Sequence, residues 1–508
     1  MNHSEYRREY AAYCSALERE RYTYHAGLAP ELRLHPIADR YADLHTQHAV
    51  DGLQRWQSET PIHFETERAG LKFLIDAARL GFVESYTREL ADELARCESA
   101  TRIEWEGAPF TASDMLNQIV CEPDAARRHK LTDRWYDTLR QCDDLRTARL
   151  EANREAAGLL GFDSYRKLHE EVASTDYEKL ATGFGSFLQR SASVYGSRLA
   201  QWATAHKLSF NASGTLRYAD SFSLRRIQGF DDFFSAHELR ATYGGALGGL
   251  GTRVEKQPNL LVDDEARPLK KAHSACFAVD PPDEVRLVVN VTQKGAAFYQ
   301  NFFKKVGCAQ HLAWSSRDFA ARHPEFIHAP DGTTCEGFAF LFSYLFLDAA
   351  WLSEYKGLRE TSAREVARQF ALLEMHDVRL NCAQLRYQIA LHDAADVRSE
   401  HLSEIFTSLY NEAAGFQYDP AMRLLEAGDG SRAASALRAR LFAVAISEHL
   451  RTRYGHRWWA MRGAGDELID MWNTSSRYSV EELAHLIGAG SLNIDLLAET
   501  LLVALNDA

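Results

Sequence analysis

The chain has 508 residues, with 58 Lys or Arg against 71 Asp or Glu, so its formal net charge is −13, and 46% of it is hydrophobic. That is ordinary globular composition, and the acidic balance excludes nucleic acid and an anionic membrane as expected partners, since both require a concentrated basic surface. The 30 Gly and 12 Pro are spread without a linker-like tract, so one continuous body is expected, with helical halves at 1–250 and 251–508.

In chain order, the start (Met1 to Tyr10, followed by Glu18, Arg19, Glu20 and Arg21) is too charged for a signal peptide, which places the protein in the cytoplasm. Eight cysteines (14, 97, 121, 142, 276, 308, 335, 382) lie far apart with no C-x-x-C pair. Reduced thiols are expected, with neither disulfides nor a zinc ribbon. Thr175-Asp176-Tyr177-Glu178 and Ser479-Val480-Glu481-Glu482 match the capping box, so helices start near 176 and 480. The Gly-rich stretch Tyr243–Gly251 lacks the G-x-G-x-x-G spacing and reads as close helix packing ended by Gly251. Ala275–Val279 and Val285–Val291, around Asp280-Pro281-Pro282-Asp283, form a hairpin or two adjacent strands.

After Gly295 the pattern is helical again, beginning with Ala296–Trp314. Phe338–Leu347 is a buried helix, too short for the roughly 20 residues of a bilayer span. In Ser431–Tyr454 an apolar stripe (Leu437, Leu441, Val444, Ala445, Leu450) faces away from Arg438, Arg440 and Glu448, and Gly455 ends the helix. The sum is a mainly α protein with a small sheet near 275–291.

The order strand, turn, helix, loop, helix over 285–351 carries the identity. It contains Tyr299-Gln-Asn-Phe-Phe-Lys304-Lys305-Val-Gly307-Cys308-Ala-Gln-His311, then Thr334-Cys335-Glu336-Gly337-Phe338. With Leu160-Gly161-Phe162-Asp163-Ser164-Tyr165 and Tyr454-Gly455-His456-Arg457-Trp458-Trp459, this segment resembles the zinc metallopeptidases of the thimet oligopeptidase and oligoendopeptidase F type. In those a helix carrying H-E-x-G-H is followed by a second helix bearing a Glu ligand. The resemblance implies a large helical peptidase-like bowl with a deep central cleft and a small β-sheet on one wall.

Aligned on Gly307, the chain departs from that pattern. Lys304 stands at the first zinc His, Lys305 at the general-base Glu and Cys308 at the second His, and only Glu336 matches its ligand. Zinc hydrolysis needs two imidazoles one helical turn apart, a carboxylate base and a third ligand. A protonated Lys cannot ligate. His169-Glu170 and His237-Glu238 are followed at the fourth position by Ala173 and Ala241, so no H-E-x-x-H exists in the chain. No zinc and no other cofactor is expected. In charge, Lys304, Lys305 and Glu336 sum to +1 where Zn²⁺ and two glutamates sum to zero, so a Lys304–Glu336 ion pair is expected in place of the metal, with Lys305 turned ~100° away.

Each candidate has two readings. Lys304 and Lys305 are a cationic pocket or a solvated helix face. Cys308, on one face with Lys304 and His311, is an activated nucleophile or a small packed side chain. Glu336 is the surviving ligand or a helix-start carboxylate. By resemblance Tyr454, His456 and Tyr478 steady an oxyanion; otherwise they are amphipathic surface groups. A metal site from Cys308, Glu336 and one of His311, His323 or His328 would be opposed by two lysines. The leading expectation is a non-proteolytic relative that binds a peptide, amino acid or carboxylate-bearing small molecule in the cleft, or adds an extended peptide to the sheet edge. The competing one is a metal-free enzyme built on Lys304, Lys305, Cys308 and Glu336, for example in specialised metabolism.

Overall fold

The computed structural model describes residues 2–507 apart from 228, 293, 429 and 431. Helix makes up 70% of it, and the helices used below are α1 (His3–His25), α2 (Glu65–Tyr86), α3 (Tyr177–Ala205), α4 (Leu239–Gly249), α5 (Ala296–Ala313), α6 (Thr333–Ser343), α7 (Glu360–Asp393), α8 (Arg432–Tyr454), α9 (Val480–Leu486) and α10 (Ile494–Asp507). The mainly α expectation holds. The 34-residue α7 is buried along most of its length and is the spine on which α3, α8 and α10 pack. One apolar core runs from Tyr136 to Leu505, and a second, from Tyr6 to Ala78, joins α1 to α2.

The small sheet has three strands in the order β1 (Leu260–Asp263), β3 (Glu284–Val288), β2 (Ala275–Asp280). The expected hairpin is β2 with β3, antiparallel, and β3 stops at Val288 rather than at 291; β1 adds a parallel edge. On the β2 edge Glu18 of α1 accepts the amide of Ala278 at 3.3 Å, so this edge position is already partnered. Strand addition there would first have to displace α1.

Local signals hold unevenly. Ser479 and Glu482 form the expected capping box, whereas at α3 the cap is Asp176, not Thr175, its carboxylate accepting the Lys179 amide. Gly251 ends the α4 region at φ +77°, and Gly249 lies where a methyl would meet Tyr355. The reading of α8 is corrected: Ala433–Ile446 is buried on all sides, and Arg438 and Arg440 are 3% and 4% exposed. Ser431, where that helix was expected to begin, lies outside the described residues. Among the described residues no single helix is long and apolar enough to cross a membrane, and the apolar Phe338–Leu347 stretch lies in the core.

Helices α5, α6 and α8 stack so closely that two glycines are obligatory. A methyl on Gly307 would stand 2.2 Å from the Phe338 carbonyl oxygen, and one on Gly337 2.4 Å from the Phe442 ring. Gly307→Ala should therefore destabilise the protein by about 1–3 kcal/mol, because the obstacle is backbone rather than a flexible side chain. Gly52→Ala, on a helix with nothing within 4 Å, should be neutral or stabilise by about 0.5–1 kcal/mol. Urea unfolding of the two variants tests this, and equal midpoints would contradict it.

Candidate functional site

Helix α5 crosses α6 antiparallel. Lys304, Gly307, Cys308 and His311 share one face of α5: Lys304 meets Phe340, Gly307 the Phe338 carbonyl, Cys308 Cys335 and His311 the Phe338 ring. The family pattern thus predicts correctly that these two helices converge.

What joins them is a disulfide. Cys308 is bonded to Cys335, and Cys97 to Cys142; Cys14, Cys121, Cys276 and Cys382 are free. The expectation of eight reduced thiols is corrected, and with it both chemical readings of Cys308. A sulfur engaged in a disulfide is neither a thiolate nucleophile nor a zinc ligand. Sequence spacing gave no warning, because the partners lie 27 residues apart and only the helix crossing brings them together.

The expected Lys304–Glu336 ion pair is also corrected. Lys304 reaches past Glu336 to the next turn of α6, where its Nζ stands 3.7 Å from the centroid of the Phe340 ring. Phe340 is four residues beyond Glu336, about 6 Å along the helix. Among the described residues no carboxylate oxygen lies within 4.0 Å of that amine. Burial, then the neighbouring Arg440, pushes it down to about 8, only partly offset by Glu336 and Glu374. The Arg440 guanidinium is 4.1 Å from the same ring. Arg440 is itself fully engaged: Nε bonds Glu374 Oε1 at 2.6 Å, and Nη1 donates to Asn381 Oδ1 at 2.9 Å and to the Ala436 carbonyl at 3.2 Å. The Tyr344 hydroxyl donates to the same Glu374 oxygen at 3.0 Å. Such a buried pair persists because its donors and acceptors are satisfied.

Glu374 opens a polar stripe on α7, continued by Asp377, Asn381, Gln384 and Gln388 at helical spacing. Asp377 pairs with Arg225 at 2.8 Å, and both stay partly open to solvent, 26% and 41% exposed. Gln384 and Gln388 donate to the carbonyls of Glu426 and Ala427. The stripe thus leads from Lys304 toward the loop before α8. The sequence reading missed Glu374, Asp377, Arg225 and Arg440 as site residues; the available signal was the recurrence of Glu374, Asp377, Asn381, Gln384 and Gln388 at three-to-four-residue steps on α7.

The remaining candidates scatter. Lys305 turns as expected away from Lys304, toward Cys276 on β2, where its charge acts against the burial that pushes that thiol up to about 12. His311 is buried beside Phe338, and burial lowers its ring to about 4, so it is neutral. Glu336 sits half-buried in the first turn of α6. Tyr478 lies near that turn, its carbonyl accepting the Thr334 hydroxyl at 3.4 Å. Tyr454 donates to Glu467 at 2.8 Å, and His456 is exposed in a separate groove with Trp458 and Val503. Arg438 pairs with Asp331 beside the start of α6, and Tyr454 is 16 residues further along α8, about 24 Å away. Tyr454 and His456 are therefore not part of the locus. His323 binds Glu325, and His328 is a backbone acceptor for Tyr10, so neither joins Cys308. Among the described residues no group of three His, Cys, Asp or Glu side chains is placed to hold a metal ion.

Comparison with solved structures agrees with this helix arrangement. A protein described as an oligoendopeptidase F from Bacillus anthracis strain Ames superposes with a TM-score of 0.65 at 13% identity, over 98% of this chain and 90% of that one. A second oligoendopeptidase F gives 0.67 at 15% identity over the same shares. PZ peptidase A, solved with an inhibitor, gives 0.62 at 14% identity over 87% of this chain and 80% of its own. The chain has the fold of the oligoendopeptidase F peptidases. No family profile and no curated protein matches its sequence.

The Cys308–Cys335 bond closes a loop that chain-entropy arguments value at about 2–4 kcal/mol. Cys308→Ser with Cys335→Ser should lose that stability in urea, and peptide mapping without reductant should recover the 308–335 linked pair. An unchanged unfolding midpoint would contradict the staple.

Proposed function

We propose that the protein is a non-proteolytic relative of these peptidases that binds a carboxylate-bearing ligand, a peptide, an amino acid or a small acid, at the converted metal locus. The observation that carries this reading is the Lys304 ammonium, half-buried beside a polar stripe and without a carboxylate partner among the described residues. An unpaired cation in a partly desolvated site gains most from an anion that arrives with the ligand. The donor set supports the loss of zinc: an ammonium stands where one imidazole is required, a disulfide sulfur where the other is, and Lys305 where the general base belongs. The disulfide also weakens the alternative of a cysteine-based enzyme.

The test is a binding titration with a dipeptide carrying a free C-terminus and with its C-terminal amide. The dipeptide should bind at least tenfold more tightly than the amide. Lys304→Ala should remove the difference and Lys304→Arg should keep most of it. Because Lys304 is a cation below its midpoint of about 8, affinity should be full near pH 7 and fall as pH rises to 9. Quenched peptides should not be hydrolysed with or without added zinc. Zinc-dependent hydrolysis, or equal affinity for acid and amide, would contradict the reading.

A further inference from the structure

The two disulfides of the chain lie in opposite surroundings. Cys97 is in the last turn of the helix Arg88–Ala100, where its carbonyl accepts the Thr101 amide at 3.1 Å, and Cys142 is 1% exposed. Their chain neighbours Glu98 and Asp143 are carboxylates, both held by Arg146. Cys308 and Cys335, by contrast, are both half-buried. Lys304 precedes Cys308 by one turn on the same face of α5, and Cys335 is the third residue of α6, at the end where helix amides carry partial positive charge. Thiol–disulfide exchange brings one thiolate in and sends another out. A neighbouring cation and a helix start therefore favour it, whereas a helix end flanked by carboxylates opposes it.

We propose that Cys308–Cys335 is a reversible redox site, opened by a dithiol reductant, while Cys97–Cys142 stays closed as a structural staple. A thiolate of the reductant bonds to one protein sulfur, and the S–S bonding pair leaves with the other sulfur, which takes up a proton. The second thiol of the reductant then displaces the remaining protein sulfur, closing its own disulfide. Two electrons and two protons pass from reductant to protein, and a disulfide oxidant reverses the exchange. Opening does not dismantle the helix crossing, because Gly307 still packs on the Phe338 carbonyl and Gly337 on Phe442. It releases the first turn of α6, otherwise held by the Thr334 hydroxyl on the Tyr478 carbonyl at 3.4 Å and by Asp331 on Arg438 at 3.2 Å. That turn carries Glu336, whose charge is felt at Lys304, so the redox state of the bond sets the surroundings of Lys304.

Timed alkylation tests it. The full chain with both bonds intact is treated with dithiothreitol at neutral pH, and released thiols are alkylated and mapped by peptide mass spectrometry. Cys308 and Cys335 should be labelled at least about tenfold faster than Cys97 and Cys142. The helical circular dichroism should stay unchanged as they open, and oxidised glutathione should close the bond again. At that stage the ¹⁵N signal of the Lys304 amine should have moved, while Cys97→Ser with Cys142→Ser should leave it in place. Equal or slower opening of 308–335, or loss of the helical signal as it opens, overturns the redox site. An unmoved Lys304 signal overturns its link to the locus. The inference stands apart from the carboxylate reading: selective, reversible opening that moves the Lys304 signal supports it even where the dipeptide binds no better than its amide.

Discussion

The crossing of α5 on α6 is the constraint from which the site follows. Gly307 lets the two backbones approach until the Phe338 carbonyl leaves no room for a methyl, and the Cys308–Cys335 bond then fixes the register. In a zinc peptidase the ion would tie such helices together. Here a covalent bond does so one turn from Lys304, and the side chains around it are no longer obliged to converge on a point. Lys304 is consequently free to lie on Phe340.

Charge placement follows from the same packing. Helix α8 lies directly against α6, so Arg440 cannot reach solvent and is compensated inside by Glu374, Asn381 and Tyr344. That network is complete without Lys304, whose nearest strong influence is then a like charge. A half-buried amine with a cation for a neighbour is less comfortable as an ammonium than a solvated lysine, and the anion-binding reading uses that state, because an arriving carboxylate relieves it.

Much of the fold was legible in the sequence because helix period, strand composition and caps are local signals. The β2–β3 hairpin, the Ser479 capping box and the α5–α6 order were all readable from residue spacing. Arg438 and Arg440 misled for a physical reason: on a helix with neighbours on every side, a charged residue marks an internal ion pair as readily as a solvated face. The disulfide was invisible because its partners sit on different helices. The Lys304–Glu336 pair does not form because losing a metal does not preserve its geometry: a long flexible side chain takes the nearest favourable surface, in this case one turn further along α6. Tyr454 and His456 were assigned by resemblance alone, and the length of α8 carries them away.

The most direct measurement is the titration of the Lys304 amine itself, followed by NMR of ¹³C,¹⁵N-lysine-labelled protein with the signal assigned by its absence in Lys304→Arg. A midpoint near 8 is expected, well below the ordinary 10.5, and it should move upward when a free-carboxylate dipeptide is added. A midpoint at or above 10.5, unmoved by the dipeptide, would mean that Lys304 is an ordinary solvated or internally paired cation and not an anion-binding group.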